Sequence, residues 1–249
     1  MLERFRAVLG SASDLNTAVP ETIRVYVFKT KKDYVRYGTQ ILGANPGKDA
    51  LSIVAAGAKM ILVDGSALRA DTLLRHELVH QFARQTWGPL PLWLDEGIAD
   101  YYAASRFREN VVEVGLTRNL YRRVVMKFGP IPMRELLTAE QSSRWYTQSV
   151  LDARFYAQSW LLVHWIVTRR ALDVDSVRRE FATSSFDVAI ANLFRMNPNQ
   201  LSREITRYNA LPVLPSKIVR VEKFEIAAAD EPRMMTSDEM QSMFAWTVR

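Results

Sequence analysis

Residues 69–102 read RADTLLRHELVHQFARQTWGPLPLWLDEGIADYY. Leu73, Leu74, Leu78, Val79 and Phe82 recur at three- and four-residue spacing, so Arg69–Gln85 is expected as a helix with one broad apolar face. Trp87–Leu92 carries two prolines and reads as a tight connector. A second helix should start near Trp93–Asp95 and run through Tyr101–Arg106. Inside the first helix lies His76-Glu77-Leu78-Val79-His80, an H-E-x-x-H. Residues four apart share a helical face. Two imidazoles so placed can bind one zinc ion, and the glutamate after the first histidine can reach a zinc-bound water as general base. Two of the chain's three histidines sit in this motif.

Zinc needs a third protein ligand and an open fourth position for chemistry. Glu96, 16 residues after His80, is the best candidate, on a second helix packed against the first. Gly97 beside it removes a side chain where two helices would approach closely. Asp100 lies one turn further on the same face as Glu96 and could accept the second N–H of a liganding imidazole, fixing its tautomer. Asp95 is the competing ligand, but it points about 100° away from Glu96 around the helix.

Outward from this stretch the chain divides. Thr22–Phe28 alternates apolar and polar residues as a strand does, and Lys31–Tyr37 reads as a short helix ended by Gly38. Gly43–Asp49 is loop chemistry. Leu51–Ala56 and Lys59–Asp64 read as two strands joined around Gly57. Beyond the zinc helices, helical patterns cover Leu116–Phe128, Met133–Leu137, Ala153–Arg170, Val174–Phe181 and Gln200–Asn209. Lys217–Ile226 alternates again. Thr236 and Glu239 form a capping box for a last helix carrying Met240, Met243, Phe244 and Val248.

Composition sets outer limits. The chain has 249 residues, 48% hydrophobic and 24% charged, close to the globular average, which argues against disorder and fibrous folds. The longest apolar stretches fall far short of the roughly 20 residues a membrane span requires. No cysteine is present, which removes disulfides, Cys-based zinc sites and thiol catalysis. The net charge of +6 is spread along the chain and does not by itself indicate nucleic-acid binding. Arg118, Arg122, Arg123 and Lys127 read as a solvated basic face. His164 reads as a structural or surface residue. Trp145 and Tyr146 are either packing residues or the lining of a substrate subsite. Met1–Gly10 holds no apolar core of signal-peptide length, which fits a cytosolic chain or one exported after loss of a leader.

The pairing of HELVH with WLDEGIADYY resembles the gluzincin metallopeptidases, the thermolysin-like zinc enzymes, and more narrowly the peptidase-MA-like domains of bacterial proteins. The resemblance covers roughly Arg4 to Leu211. It implies that His76, His80 and Glu96 are metal ligands, that Glu77 is the base, and that Asp100 partners His76. The segment Phe155–Trp160 resembles the Y-x-Q-S helix of these domains. By that likeness Tyr156, 60 residues after Glu96, would donate a hydrogen bond to the oxyanion. The family layout also implies a substrate-binding edge strand before the zinc helix, which points to Lys59–Asp64. Thermolysin's own further histidine has no counterpart, unless His164 serves.

The expected fold is α+β: a thermolysin-like metallopeptidase with a small N-terminal mixed sheet and a mainly α-helical C-terminal part. Residues 1–68 would supply the sheet with its substrate-edge strand, 69–211 the helical zinc part, and 212–249 a C-terminal extension. The expected function is a peptidase with one Zn2+ ion acting on peptides or proteins, with endopeptidase action favoured by the lack of a G-x-M-E-N segment. The other class that fits is a zinc-retaining domain that binds peptides or partners without cleaving them. Intact Glu77 counts against it, because a structural site needs no base there.

Overall fold

The unbroken apolar run Met60-Ile61-Leu62-Val63 is buried throughout and forms the middle of a sheet. The computed structural model describes Phe5 and residues 23–55, 58–108, 111–148, 151–170, 173–220, 233–236 and 238–240. Strand β1 (Ile23–Phe28), helix α1 (Lys31–Leu42), β2 (Ala50–Ala55) and β3 (Ala58–Asp64) come first. The sheet order is β1-β3-β2, with β1 parallel to β3 and β2 antiparallel to it. Val25 stands opposite Ile61, and Leu51 opposite Leu62. This corrects one expectation: Lys59–Asp64 is the central strand, its backbone taken up on both sides. The outer strand on the side of β2 is β2 itself.

Side chains of β3 alternate between two cores, as a period of two requires. Ile61 and Val63 face the main core, while Leu62 joins Phe28, Tyr34 and Tyr37 in a smaller cluster with α1. Thr30 caps α1 by accepting from the Asp33 N–H at 3.1 Å. Gly38 does not end this helix. It continues to Leu42 and stops at Gly43, whose left-handed φ of 71° favours glycine. At Gly38 the missing side chain makes room for Pro46 instead, whose Cγ would lie 2.4 Å from an added Cβ.

The two motif helices are α2 (Ala70–Trp87) and α3 (Leu92–Ala103). Nearly every residue of α3 from Trp93 to Ala103 is buried, the signature of a helix enclosed on all sides. It lies between α2 and a later helix, α7 (Asp152–Trp165). Gly97 marks the closer of these approaches. A Cβ there would meet Val163 Cγ2 at 2.5 Å and the Ser159 carbonyl oxygen at 2.6 Å. The glycine therefore serves the α3–α7 contact.

Three short strands build a second, antiparallel sheet in the order β4 (Arg106–Arg108), β5 (Val111–Val114), β6 (Lys217–Arg220). The first two are three and four residues long, too short to show a period in sequence. Residues 221–226 of the expected last strand lie outside the described residues. Between β5 and α7 come α4 (Asn119–Phe128), α5 (Met133–Leu137) and α6 (Arg144–Thr147). A π-helical turn, Ile166–Arg170, continues α7. Then follow α8 (Val174–Thr183), α9 (Phe186–Phe194) and α10 (Pro198–Asn209). Helices α6 and α9 went unread in the sequence. The Thr236–Glu239 capping box is present, with both reciprocal bonds made. Met240 packs on the smaller cluster, and Met243, Phe244 and Val248 lie outside the described residues. Among the described residues no helix is long and apolar enough to cross a membrane. The fold is thus α+β, a small mixed three-stranded sheet followed by a mainly helical part.

Candidate metal centre

One turn apart on α2, His76 and His80 bring their Nε2 atoms to 3.0 Å. Glu96 comes across from α3, its Oε2 3.1 Å from His76 Nε2 and 3.6 Å from His80 Nε2. These three atoms form a compact triangle that could hold a metal ion. His80 and Glu96 are buried, and His76 is nearly so.

The far side of each imidazole is held by a carboxylate. His76 Nδ1 lies 3.3 Å from Asp100 Oδ1, and His80 Nδ1 lies 2.9 Å from Asp95 Oδ1. An ionised carboxylate only accepts, so each Nδ1 carries the proton it donates. When both rings are neutral, their Nε2 lone pairs and Glu96 Oε2 then face one another with no proton between them. A proton on a ring nitrogen or a metal cation can bridge three such converging atoms.

The charges follow from this arrangement. Burial alone would lower the pKa of His76, but hydrogen bonds to Asp100 and Glu96 outweigh it and hold it up at about 9. His80 is raised in the same way, by Asp95 and Glu96 against its burial. Burial works to raise Glu96, yet the two imidazoles keep its carboxyl well below the usual range. Asp100 is lowered despite burial by the Arg118 guanidinium and by His76. Tyr121 also donates to Asp100, at 2.8 Å.

The second oxygen of Glu96 has its own donors. Oε1 accepts from the Tyr146 hydroxyl at 2.8 Å and the Tyr156 hydroxyl at 3.4 Å. The Lys48 ammonium lies 3.9 Å away. Burial, and after it the charge of Glu96, raises the pKa of both phenols, so they remain donors at neutral pH. Glu77 is half-buried on α2, and among the described residues no hydrogen bond or ion pair holds its carboxylate. Its charge acts on Tyr146 and Tyr34.

The segment from α2 to the end of α8 has counterparts elsewhere. Residues 70–185 match the family described as "Protein of unknown function (DUF1570)". The match includes every residue just named around the two imidazoles except Lys48 and Tyr34. No curated protein matches the chain.

The structure brings His76, His80, Glu96, Asp100 and Tyr156 together as the sequence reading grouped them. Several partners escaped that reading. Asp95 was weighed only as a competing ligand, yet its different direction on α3 is what lets it reach the far side of His80. Tyr146, weighed as a packing residue or subsite lining, sits on the four-residue α6, which gives no periodic signal, and its bond to Glu96 was not foreseen. Arg118 and Arg122 correct the solvated-face expectation: Arg118 is bound to Asp100, and Arg122 donates to the carbonyls of Asn209 and Leu211. Arg123 and Lys127 are exposed as expected. His164 is fully buried away from the triangle, between the Tyr208 hydroxyl at 2.7 Å and the Gly115 carbonyl at 2.8 Å.

Proposed function

We propose that this chain is a thermolysin-like zinc peptidase in which His76, His80 and Glu96 hold the ion, Glu77 is the general base and Tyr156 an oxyanion donor. The observation that carries the reading is the triangle of ligand atoms with both outer ring nitrogens tied to carboxylates. Tetrahedral ligands about 2.0–2.2 Å from one zinc ion stand about 3.3–3.6 Å from one another. The separations of 3.0, 3.1 and 3.6 Å bracket that edge length. The donor set of two neutral imidazoles and one carboxylate also suits zinc, and it leaves a fourth position open.

A zinc ion held there would supply Lewis acidity, polarising the carbonyl to be cleaved and making water acidic enough to attack near neutral pH. The chain's own groups do the rest. Asp95 and Asp100 fix the tautomer and direction of the two rings. Glu77 follows His76 directly, and its free carboxylate can take the proton of the attacking water and pass it to the departing amine. The Tyr156 hydroxyl makes a long bond of 3.4 Å to Glu96, so its O–H can turn toward the oxygen that gains charge.

An extended substrate can add to a sheet edge. The role expected of Lys59–Asp64 passes to β2, which pairs with β3 on one side only among the described residues. Its Ser52 hydroxyl accepts a hydrogen bond from Gln81, the residue after His80, so β2 runs against the motif helix. Chelation tests the reading. A quenched-peptide library should be cleaved by the zinc-loaded chain, spared after the metal is stripped, and cleaved again once zinc is restored. Cleavage that survives complete removal of the metal contradicts the assignment.

A further inference from the structure

Lys48 is a charged residue at the metal group that the proposed reaction has not used. It stands in the loop between α1 and β2, outside the segment that matches the family. The loop is fixed behind it. Pro46 is buried against Gly38, and Gly47, at φ 70°, donates its N–H to Asn45 Oδ1 at 3.0 Å. From there the Lys48 ammonium donates to the hydroxyls of both Tyr146 and Tyr156. It also lies 4.2 Å from the centre of the Tyr146 ring.

Its only ion-pair partner among the described residues is Glu96, at 3.9 Å. Asp152 lies within its field without pairing. A dication on Glu96 Oε2 would take up that carboxylate's charge and leave the ammonium facing the site without an anion of its own. The Lys48 side chain is 43% exposed, so an incoming group can reach it. Beside it, Tyr156 offers a second donor, its O–H making a long bond of 3.4 Å to Glu96.

We infer that Lys48 and Tyr156 form a two-donor subsite for an anionic oxygen of the substrate, which makes Lys48 a catalytic residue. The inference rests on the peptidase reading. As water attacks, a new C–O bond forms and the carbonyl π pair moves onto its oxygen. Lys48 and Tyr156 donate hydrogen bonds to that oxygen while it carries the charge. When the pair returns, the C–N bond breaks and the amine leaves with the proton delivered by Glu77. The same two donors would hold a carboxylate at the substrate's C-terminus, and experiment separates the two sources.

The experiment measures binding of phosphinic dipeptides, which carry a tetrahedral anion, to the zinc-loaded chain and to Lys48→Met. One library is C-terminally amidated and the other has free acids, and zinc content and thermal unfolding are recorded for both proteins. Losing one charged donor should weaken the best-binding members by about ten- to a hundredfold with zinc content unchanged. Loss in the amidated library assigns the subsite to the oxygen of the attacked carbonyl. Loss confined to the free acids assigns it to a terminal carboxylate. Unchanged affinity in both, in a variant that keeps its zinc and its unfolding temperature, overturns the inference. If the zinc-loaded wild type binds no member of either library, the peptidase reading fails, and this inference with it.

Discussion

At the scale of single residues, the chain spends its three histidines on two different purposes. His76 and His80 turn their Nε2 atoms toward Glu96, whereas His164 has both nitrogens satisfied inside the core. Burial holds the pKa of His164 at about 4, against an ordinary 6.5. The sign of its contribution follows. Above about pH 7 the ring is neutral in both folded and unfolded chains and adds no pH dependence. Below pH 6.5 the unfolded chain takes up a proton that the folded one refuses, so stability falls as pH drops toward 4. The slope is at most about 1.4 kcal/mol per pH unit, and the total about 3 kcal/mol. Denaturant unfolding from pH 4 to 7 should give a shallower slope for His164→Gln than for wild type. Identical slopes would show that His164 is not held neutral in the fold. The sequence identified His76 and His80 because four-residue spacing fixes a common helical face. It could not place His164, because Tyr208 and Gly115 lie 44 and 49 residues away.

Among the elements, α3 does the most to place the site. One surface of it carries Glu96 and Asp100 toward α2, and Gly97 lets α7 close in on another. That closeness brings Tyr156, on α7, within reach of Glu96. Gly97→Ala would set a methyl 2.6 Å from a backbone oxygen that cannot rotate away. The expected loss of stability is about 1–3 kcal/mol, as for other overpacked cores. Denaturant titration would measure it, and a variant within about 0.5 kcal/mol of wild type would mean the helices separate without cost. Long elements were legible because several turns repeat one pattern: α2, α3 and α7 all stood in the sequence. The strands β4 and β5 and the helix α6 were not, since three or four residues display no period and are fixed by what they pair with. The order of the sheet was equally hidden. The apolar run of β3 announces a strand buried on both faces, but nothing local says that β1 and β2 flank it.

For the whole molecule, the metal group sits where the small sheet meets the helical part. Its candidate ligands come from α2 and α3, its phenols from α6 and α7, and Lys48 from the loop leading into β2. The candidate ligand set was readable because it lies within 21 residues of sequence. The contacts of Lys48 and Tyr146 with Glu96 were not, because these residues are 48 and 50 positions away and only the folded chain brings them to it. The central claim is that Glu77 works as a base beside a metal held by its neighbours. It is tested most directly by assaying zinc content and library cleavage together for wild type and Glu77→Gln. The substitution keeps the shape of the side chain and removes its basicity, so zinc should stay equal while cleavage falls by at least about a hundredfold. Equal zinc with an unchanged rate of cleavage would contradict the claim.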